Sequence, residues 1–164
     1  MAKKTRKVGR SAKSGQFVSK DELQKHPAET ILDTVPVGER KTTADVIKDL
    51  CIDLNFQSET DAPVEVFIST AVDRSSVDCE VMKALTGHKE CEPLDFDKWF
   101  EKNSKPEVQP QSETYHCLHV VMVERLVQRK VFKMTITPHR YAYYAIGVQR
   151  DCSLLGIRTE FVET

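Results

Sequence analysis

The sequence predicts an α+β domain, a mainly antiparallel sheet with helices packed on it, behind a basic arm. Three observations predict it. The last third of the chain holds three strand-like runs, 131–136, 140–148 and 154–162, joined by turns at Pro138 and at Arg150-Asp151. Connections this short join antiparallel neighbours, because parallel strands need a crossover of a dozen residues or more. Ahead of that meander the order is helix, strand, two helices and one long helix, which is the pattern of helices layered on a sheet. Finally, the chain stays strand-patterned almost to its end, where most termini become polar tails. Leu155, Ile157, Thr159 and Phe161 fall on one face, and Leu154, Gly156, Arg158, Glu160 and Val162 on the other.

Taken in order, residues 1–41 come first. They hold few apolar residues and no sustained period, and Gly9, Gly15, Pro27, Pro36 and Gly38 punctuate them. A mostly disordered arm is expected, with at most a short helical turn near 21–25. Residues 1–25 carry eight Lys or Arg against Asp21 and Glu22 on a chain of net charge −1, so the remainder stands at −7. A basic arm on an acidic body suggests two units. Two readings of the arm stand side by side: a solubilising tail, or a contact that neutralises nucleic-acid phosphates.

The domain is expected over 42–164. Thr42-x-x-Asp45 before Val46, Ile47, Leu50 and Leu54 is a capping signal followed by helical spacing, which predicts a helix over 43–54. Residues 56–63 are polar and close on Pro63, so they read as a loop, and the β-branched and aromatic run 64–72 reads as a strand. Ser75 or Ser76 is the expected cap of a second helix with the stripe Val77, Val81, Met82 and Leu85, stopped by Gly87. Asp95 caps a short helix over 96–102, with Trp99 and Phe100 as core anchors. The polar connection 103–111 contains Pro106 and Pro110, and Ser112 is the expected cap of the long helix after it. Tyr115, Leu118, Met122 and Leu126 mark the buried face of that helix, and Val120, Val121 and Val123 widen it. Arg125, Arg129 and Lys130 fall in or just beyond its last turn, where the helix dipole favours cations.

The residues nominate no enzyme and no cofactor. There is no glycine-rich phosphate loop, no G-x-S-x-G, no H-E-x-x-H and no clustered metal spacing. His116 and His119 are three apart on the long helix but have no third ligand, so they are assigned structural roles, as is His88. No apolar run reaches the length of a bilayer span, and the basic N-terminus has no apolar segment after it. Cys51, Cys79, Cys91, Cys117 and Cys152 are odd in number, widely spread and without a C-x-x-C pair. They read as five free thiols in a reducing cytoplasm.

A resemblance carries the reading further. The ending Gly156-Ile157-Arg158-Thr159-Glu160-Phe161-Val162-Glu163-Thr164 looks like that of the nuclease A inhibitor family, small proteins that block a magnesium-dependent, sequence-nonspecific nuclease. Phe56-x-Ser58-Glu59-x-x-x-Pro63-x-Glu65-Val66-Phe67 is similar to the family's loop-into-strand segment. Leu85-Thr86-Gly87-His88, Asp95-x-Asp97-x-x-Phe100 and Tyr144-Ala145-Ile146-Gly147 follow in the family's order. The resemblance implies a three-layer α/β/α sandwich whose C-terminus enters the active site of a partner nuclease. In the family the terminal threonine ligates the nuclease's catalytic Mg²⁺, and its position here is Thr164. Its carboxylate and hydroxyl are the oxygen donors that a hard cation prefers, and Glu163 is expected beside it on the rim. A glutamate of the family's first loop stands in for substrate phosphate, and its match is Glu59; a carboxylate takes a bidentate Arg contact much as phosphate does. The chain departs from the family in one place. The family can present a tryptophan before the long helix, whereas 103–111 holds no aromatic and Trp99 belongs to the preceding motif. The alternative reading is a non-inhibitory binding module that uses its basic arm on nucleic acid.

Overall fold

A computed structural model of the chain describes residues 41–69 and 77–163 and, among the first 40, the backbone strands 5–11, 17–18 and 30–36. The chain divides into two compact units, Met1–Arg40 and Lys41–Thr164. In the first unit, β1 (Thr5–Ser11) pairs antiparallel with β3 (Thr30–Pro36) along its full length, and with β2 (Phe17–Val18) at Gly9 and Arg10. An arm without apolar period predicts no such ladder. β3 contains Ile31, Leu32 and Val35, the longest run of β-favouring residues in the arm. The helical turn expected near 21–25 lies outside the described residues.

In the second unit, local signals start and stop the helices. In α1 (Thr43–Leu50) the Thr42 hydroxyl accepts from the Asp45 N–H while the Asp45 carboxylate accepts from the Thr42 N–H. This is the capping box that the sequence predicts. The helix ends at Leu50 rather than 54, because Asp53 takes a φ of 56° and turns the chain into β4 (Asn55–Phe56). α2 (Cys79–Thr86) is capped by Asp78, whose carboxylate accepts from the Val81 N–H at 3.0 Å. That corrects the expectation of a serine cap; Ser75 and Ser76 lie outside the described residues. Gly87 stops α2 at a φ of 74°, a conformation that only a residue without Cβ adopts freely. Asp95 caps α3 (Phe96–Asn103) through the Lys98 N–H at 2.8 Å.

α4 (Ser112–Arg125) is different. Its cap residue is Gln111, which makes no side-chain cap bond, and Ser112 is a buried first-turn residue rather than the cap. Tyr115, Leu118 and Met122 are buried as expected, but Val120 and Val123 are each 40% exposed, so the apolar face is narrower than the valines suggest. At its C-terminal end the Arg129 guanidinium donates to the carbonyls of Val123 and Leu126, satisfying oxygens that the helix leaves open.

The main sheet has the order β6 (Glu65–Ser69), β10 (Leu154–Val162), β9 (Arg140–Val148), β8 (Val127–Thr137), β7 (Glu90–Leu94), and every pairing is antiparallel. β8 begins four residues before 131 through a register shift between Val127 and Lys130, where Gln128 takes a φ of 49°. A small hairpin, β4 with β5 (Ala62–Pro63), lies outside this sheet. One face carries α1, α3 and α4, which bury Ile47, Trp99, Phe100, Tyr115 and Leu118 against Val131, Ala145, Leu155, Ile157 and Phe161. On the other face Val77 and Met82 cover Phe132, Met134, Ile146 and Leu154. The result is a three-layer α/β/α sandwich with β10 inside the sheet. Both faces are covered, so Leu154 is as buried as Leu155.

One correction concerns the cysteines. Cys79 and Cys91 are joined by a disulfide, with α carbons 5.6 Å apart. The expectation of five free thiols fails for this pair because Gly87 reverses the chain and brings β7 back past the first residue of α2. Twelve residues of sequence separation conceal that proximity. Cys51 and Cys117 are free thiols. Among the described residues no helix is long and apolar enough to cross a membrane.

Candidate functional site

The loop that bears Glu59 is the connection between β4 and β5. Its tip is closed locally: the Ser58 hydroxyl donates to the Thr60 carbonyl at 2.7 Å and accepts from the Thr60 N–H at 3.3 Å. Its root is held by amide side chains from far along the sequence. Gln109 accepts from the Gln57 N–H at 2.8 Å and donates to the Gln57 carbonyl at 3.3 Å. Gln111 accepts from the Asn55 N–H and donates to the Asp53 carbonyl, both at 2.9 Å, and the Tyr115 hydroxyl donates to the Asn55 carbonyl at 3.2 Å. These side chains supply to residues 53–57 the alternating donors and acceptors that a neighbouring strand would supply. Gln109 is only 1% exposed, and it also donates to Asn103, which donates in turn to the Trp99 carbonyl. The connection 103–111, legible in sequence only as a polar linker, is therefore the brace of the loop. A glutamine on each side of Pro110 was the available signal, and no period marks such a residue as buried.

The other candidate segment is the end of β10. Through Arg158 the strand is paired on both sides, with β6 and β9; from Thr159 to Val162 it pairs, among the described residues, with β9 alone. The next residue is fixed by the Glu163 N–H, which donates to the His139 carbonyl at 3.0 Å, and by its side chain, which accepts from the Lys133 ammonium at 2.7 Å. The Lys133 ammonium lies 4.2 Å from the Tyr141 ring centroid and 5.5 Å from that of Phe161. Lys133 has a raised pKa: burial works against its charge, and the Glu163 bond and the neighbouring Glu163, Tyr143 and Tyr141 outweigh it. The Glu163 carboxyl is held below its ordinary value by that same hydrogen bond and by the charge of Lys133.

Aromatic rings tie the two segments together. Phe161 stacks on Tyr143 at 4.3 Å and on Tyr141 at 5.4 Å, and it lies 5.9 Å from Phe56 at the root of the Glu59 loop. Phe56 in turn stacks on Trp99 at 6.2 Å, which is buried as expected. Between the segments runs a groove of about 570 Å³ lined by residues 60–63 and Glu65 on one side and Arg140 and 158–162 on the other. Both of its arginines are paired: Glu160 pairs with Arg140 and Arg158, and Arg158 also lies 3.7 Å from Glu65. Arg158 Nε and the Thr159 hydroxyl are buried along it without a hydrogen-bond partner among the described residues. Such atoms usually have one.

The structure thus brings residues 60–63, which follow Glu59, and residues 158–162, which precede Glu163, into the lining of one groove, while Glu59 and Glu163 themselves are not part of that lining. Thr164 lies outside the described residues. His119 is structural here, bonded to Asp97 at 2.8 Å and stacked on Phe100 at 5.1 Å. Among the described residues no group of three or more His, Cys, Asp or Glu is placed to hold a metal ion.

The sequence model of one protein family, described as nuclease A inhibitor-like protein, matches residues 41–164. Comparison with curated proteins gives no match.

Proposed function

Since this chain belongs to the nuclease A inhibitor-like family, we propose that it inhibits a metal-dependent, nonspecific nuclease by laying its C-terminus into the active site. The observation that carries the proposal is the common groove. Residues 60–63 of the loop that presents Glu59 and residues 158–162 of the strand that precedes Glu163 both line it, and the Phe56–Phe161 contact ties the two segments. In this reading Thr164 offers carboxylate and hydroxyl oxygens to the Mg²⁺ of the partner, with Glu163 at its side. Glu59 occupies the place of a substrate phosphate before the partner's cations. The chain needs no metal or cofactor of its own and does no catalysis. Its body, residues 41–164, carries 15 Lys or Arg against 20 Asp or Glu, a net charge of −5, and complements a cleft built to attract DNA. Nucleic acid would be touched only through the basic arm. A cytoplasmic site of action is part of this reading and rests on the free thiols of Cys51 and Cys117.

The test is made at the C-terminus. Deleting Thr164 moves the terminal carboxylate back by about 3.4 Å along a strand, more than a Mg²⁺–oxygen bond of about 2.1 Å can absorb. A C-terminal tag removes the free carboxylate altogether. Both forms should melt like the native chain and lose inhibition of a Mg²⁺-dependent nonspecific nuclease, while an N-terminally tagged control keeps it. Equal inhibition by the two tagged proteins would sink the active-site plug.

A further inference from the structure

We propose that Lys133 is a positioning residue for the C-terminus, a latch that holds Glu163 to the sheet and so fixes the direction in which Thr164 leaves it. The inference rests on the inhibitor reading for its functional consequence but on the geometry of this chain for the latch itself.

Lys133 is on β8, two strands away from β10, and its register partner on β9 is Tyr143, which is paired with Thr159 of β10. Two strand spacings are about 9.6 Å, so the side chain must cross β9 to reach the terminal strand. It does so over the faces of Tyr141 and Phe161 and ends on Glu163. A lysine placed this way is costly. Its side chain, stem included, is only 21% exposed, and burial works against the charge of the ammonium. What offsets the cost is the pair of ring faces and one carboxylate, that of Glu163, the residue next after β10.

The tail needs such a partner. Beyond Val162 the main-chain tie among the described residues is the Glu163 N–H on the His139 carbonyl, and a segment held by one hydrogen bond frays. Period two puts Glu163 on the same face as Phe161 and Thr159, so the side chain that the ammonium grips is the one that points over the aromatic column. Latching it removes freedom from the tail before any partner arrives. Preorganisation of this kind strengthens binding by cutting the ordering cost, without a new contact. A metal ligand gains most, since its bond tolerates little displacement.

The experiment compares the native chain with Lys133→Met, which keeps an unbranched apolar stem on the rings, Lys133→Arg, which keeps the charge, Glu163→Gln, and the double variant Lys133→Met/Glu163→Gln. Three quantities are measured on the full chain: the thermal melt, the rate at which a broad-specificity carboxypeptidase removes Thr164, and the inhibition constant against a Mg²⁺-dependent nonspecific nuclease. We expect Lys133→Met to melt close to the native protein, to be trimmed severalfold faster, and to inhibit about tenfold more weakly, the scale of one charge-assisted hydrogen bond. Lys133→Arg should recover most of both effects. The double variant should be trimmed no faster than Glu163→Gln alone, because the pair acts as one unit. Trimming unchanged in both Lys133→Met and Glu163→Gln overturns the latch, and faster trimming with unchanged inhibition overturns its role in positioning. A native chain that inhibits no such nuclease defeats the inhibitor reading instead, and the trimming rates still decide the latch.

Discussion

Glu59 and Gln109 show how a loop residue comes to be usable in recognition. Glu59 is an exposed acid at the tip, and what distinguishes it from any solvated carboxylate is the fixed root beneath it. Gln109 makes that root rigid from 52 residues away. The test at Glu59 is Glu59→Gln, which keeps the shape and removes the charge. Breaking a desolvated charge pair at an interface costs about 2–5 kcal/mol of binding, whereas an exposed substitution changes folding stability by no more than about 0.5 kcal/mol. Titration against the partner nuclease should therefore show a weaker complex beside an unaltered melt; unchanged affinity would remove Glu59 from the interface. Residues whose partners are near in sequence were readable in advance. Thr42 and Asp45 are three apart, as are Asp95 and Lys98, and both caps form as predicted. Gln109, Gln111 and Lys133 were not readable, because the partners through which they hold the loop and the strand end lie 30 to 58 residues away and the chemistry of an amide or an ammonium says nothing about which.

At the scale of elements, β9 and β10 run over the residues that alternation and turns predict, 140–148 and 154–162. Elements whose limits depend on a backbone irregularity came out differently. Asp53 in a left-handed conformation shortens α1, and Gln128 in another starts β8 early. Neither residue type announces the bend. The seating of β10 supplies the sharpest test of the sheet. A Cβ built on Gly156 would stand 2.0 Å from the Ala145 carbonyl oxygen and 2.7 Å from the Ile146 α carbon, both backbone atoms of the neighbouring β9. Main chain cannot step aside as a flexible side chain can. Overpacking in a well-filled interior costs about 1–3 kcal/mol and occasionally more, and Gly156→Ala belongs at the upper end, since it forces apart two strands of the sheet interior. Urea unfolding should show a midpoint lowered accordingly, with loss of inhibition following the loss of fold. An unchanged midpoint would mean that β10 does not lie this close to β9.

For the molecule as a whole, two covalent facts frame the behaviour: a disulfide far from the groove, and a basic arm on an acidic body. The Cys79–Cys91 bond ties α2 to the edge strand β7, while β8 and β9 separate that edge from β10. Closing a short loop of this size stabilises a fold by about 2–4 kcal/mol. A reducing agent should therefore lower the melt of the native chain but not of a Cys79→Ala/Cys91→Ala variant, and inhibition at ordinary temperature should persist; a melt indifferent to reductant would show that the bond adds nothing. The arm is the last question. The boundary between the two compact units falls after Arg40, and the family match begins at residue 41. Both place the groove, its brace and the latch in the second unit. The arm's charge has the sign that a DNA-binding nuclease cleft repels and that phosphates attract, so it cannot strengthen the proposed complex through long-range attraction. Removing residues 1–40 should accordingly leave the inhibition constant unchanged and the second unit folded. The contrary outcome is equally definite. Salt-sensitive DNA binding that disappears with the truncation, with neither form inhibiting a nuclease, would make the arm the working part and the body its carrier.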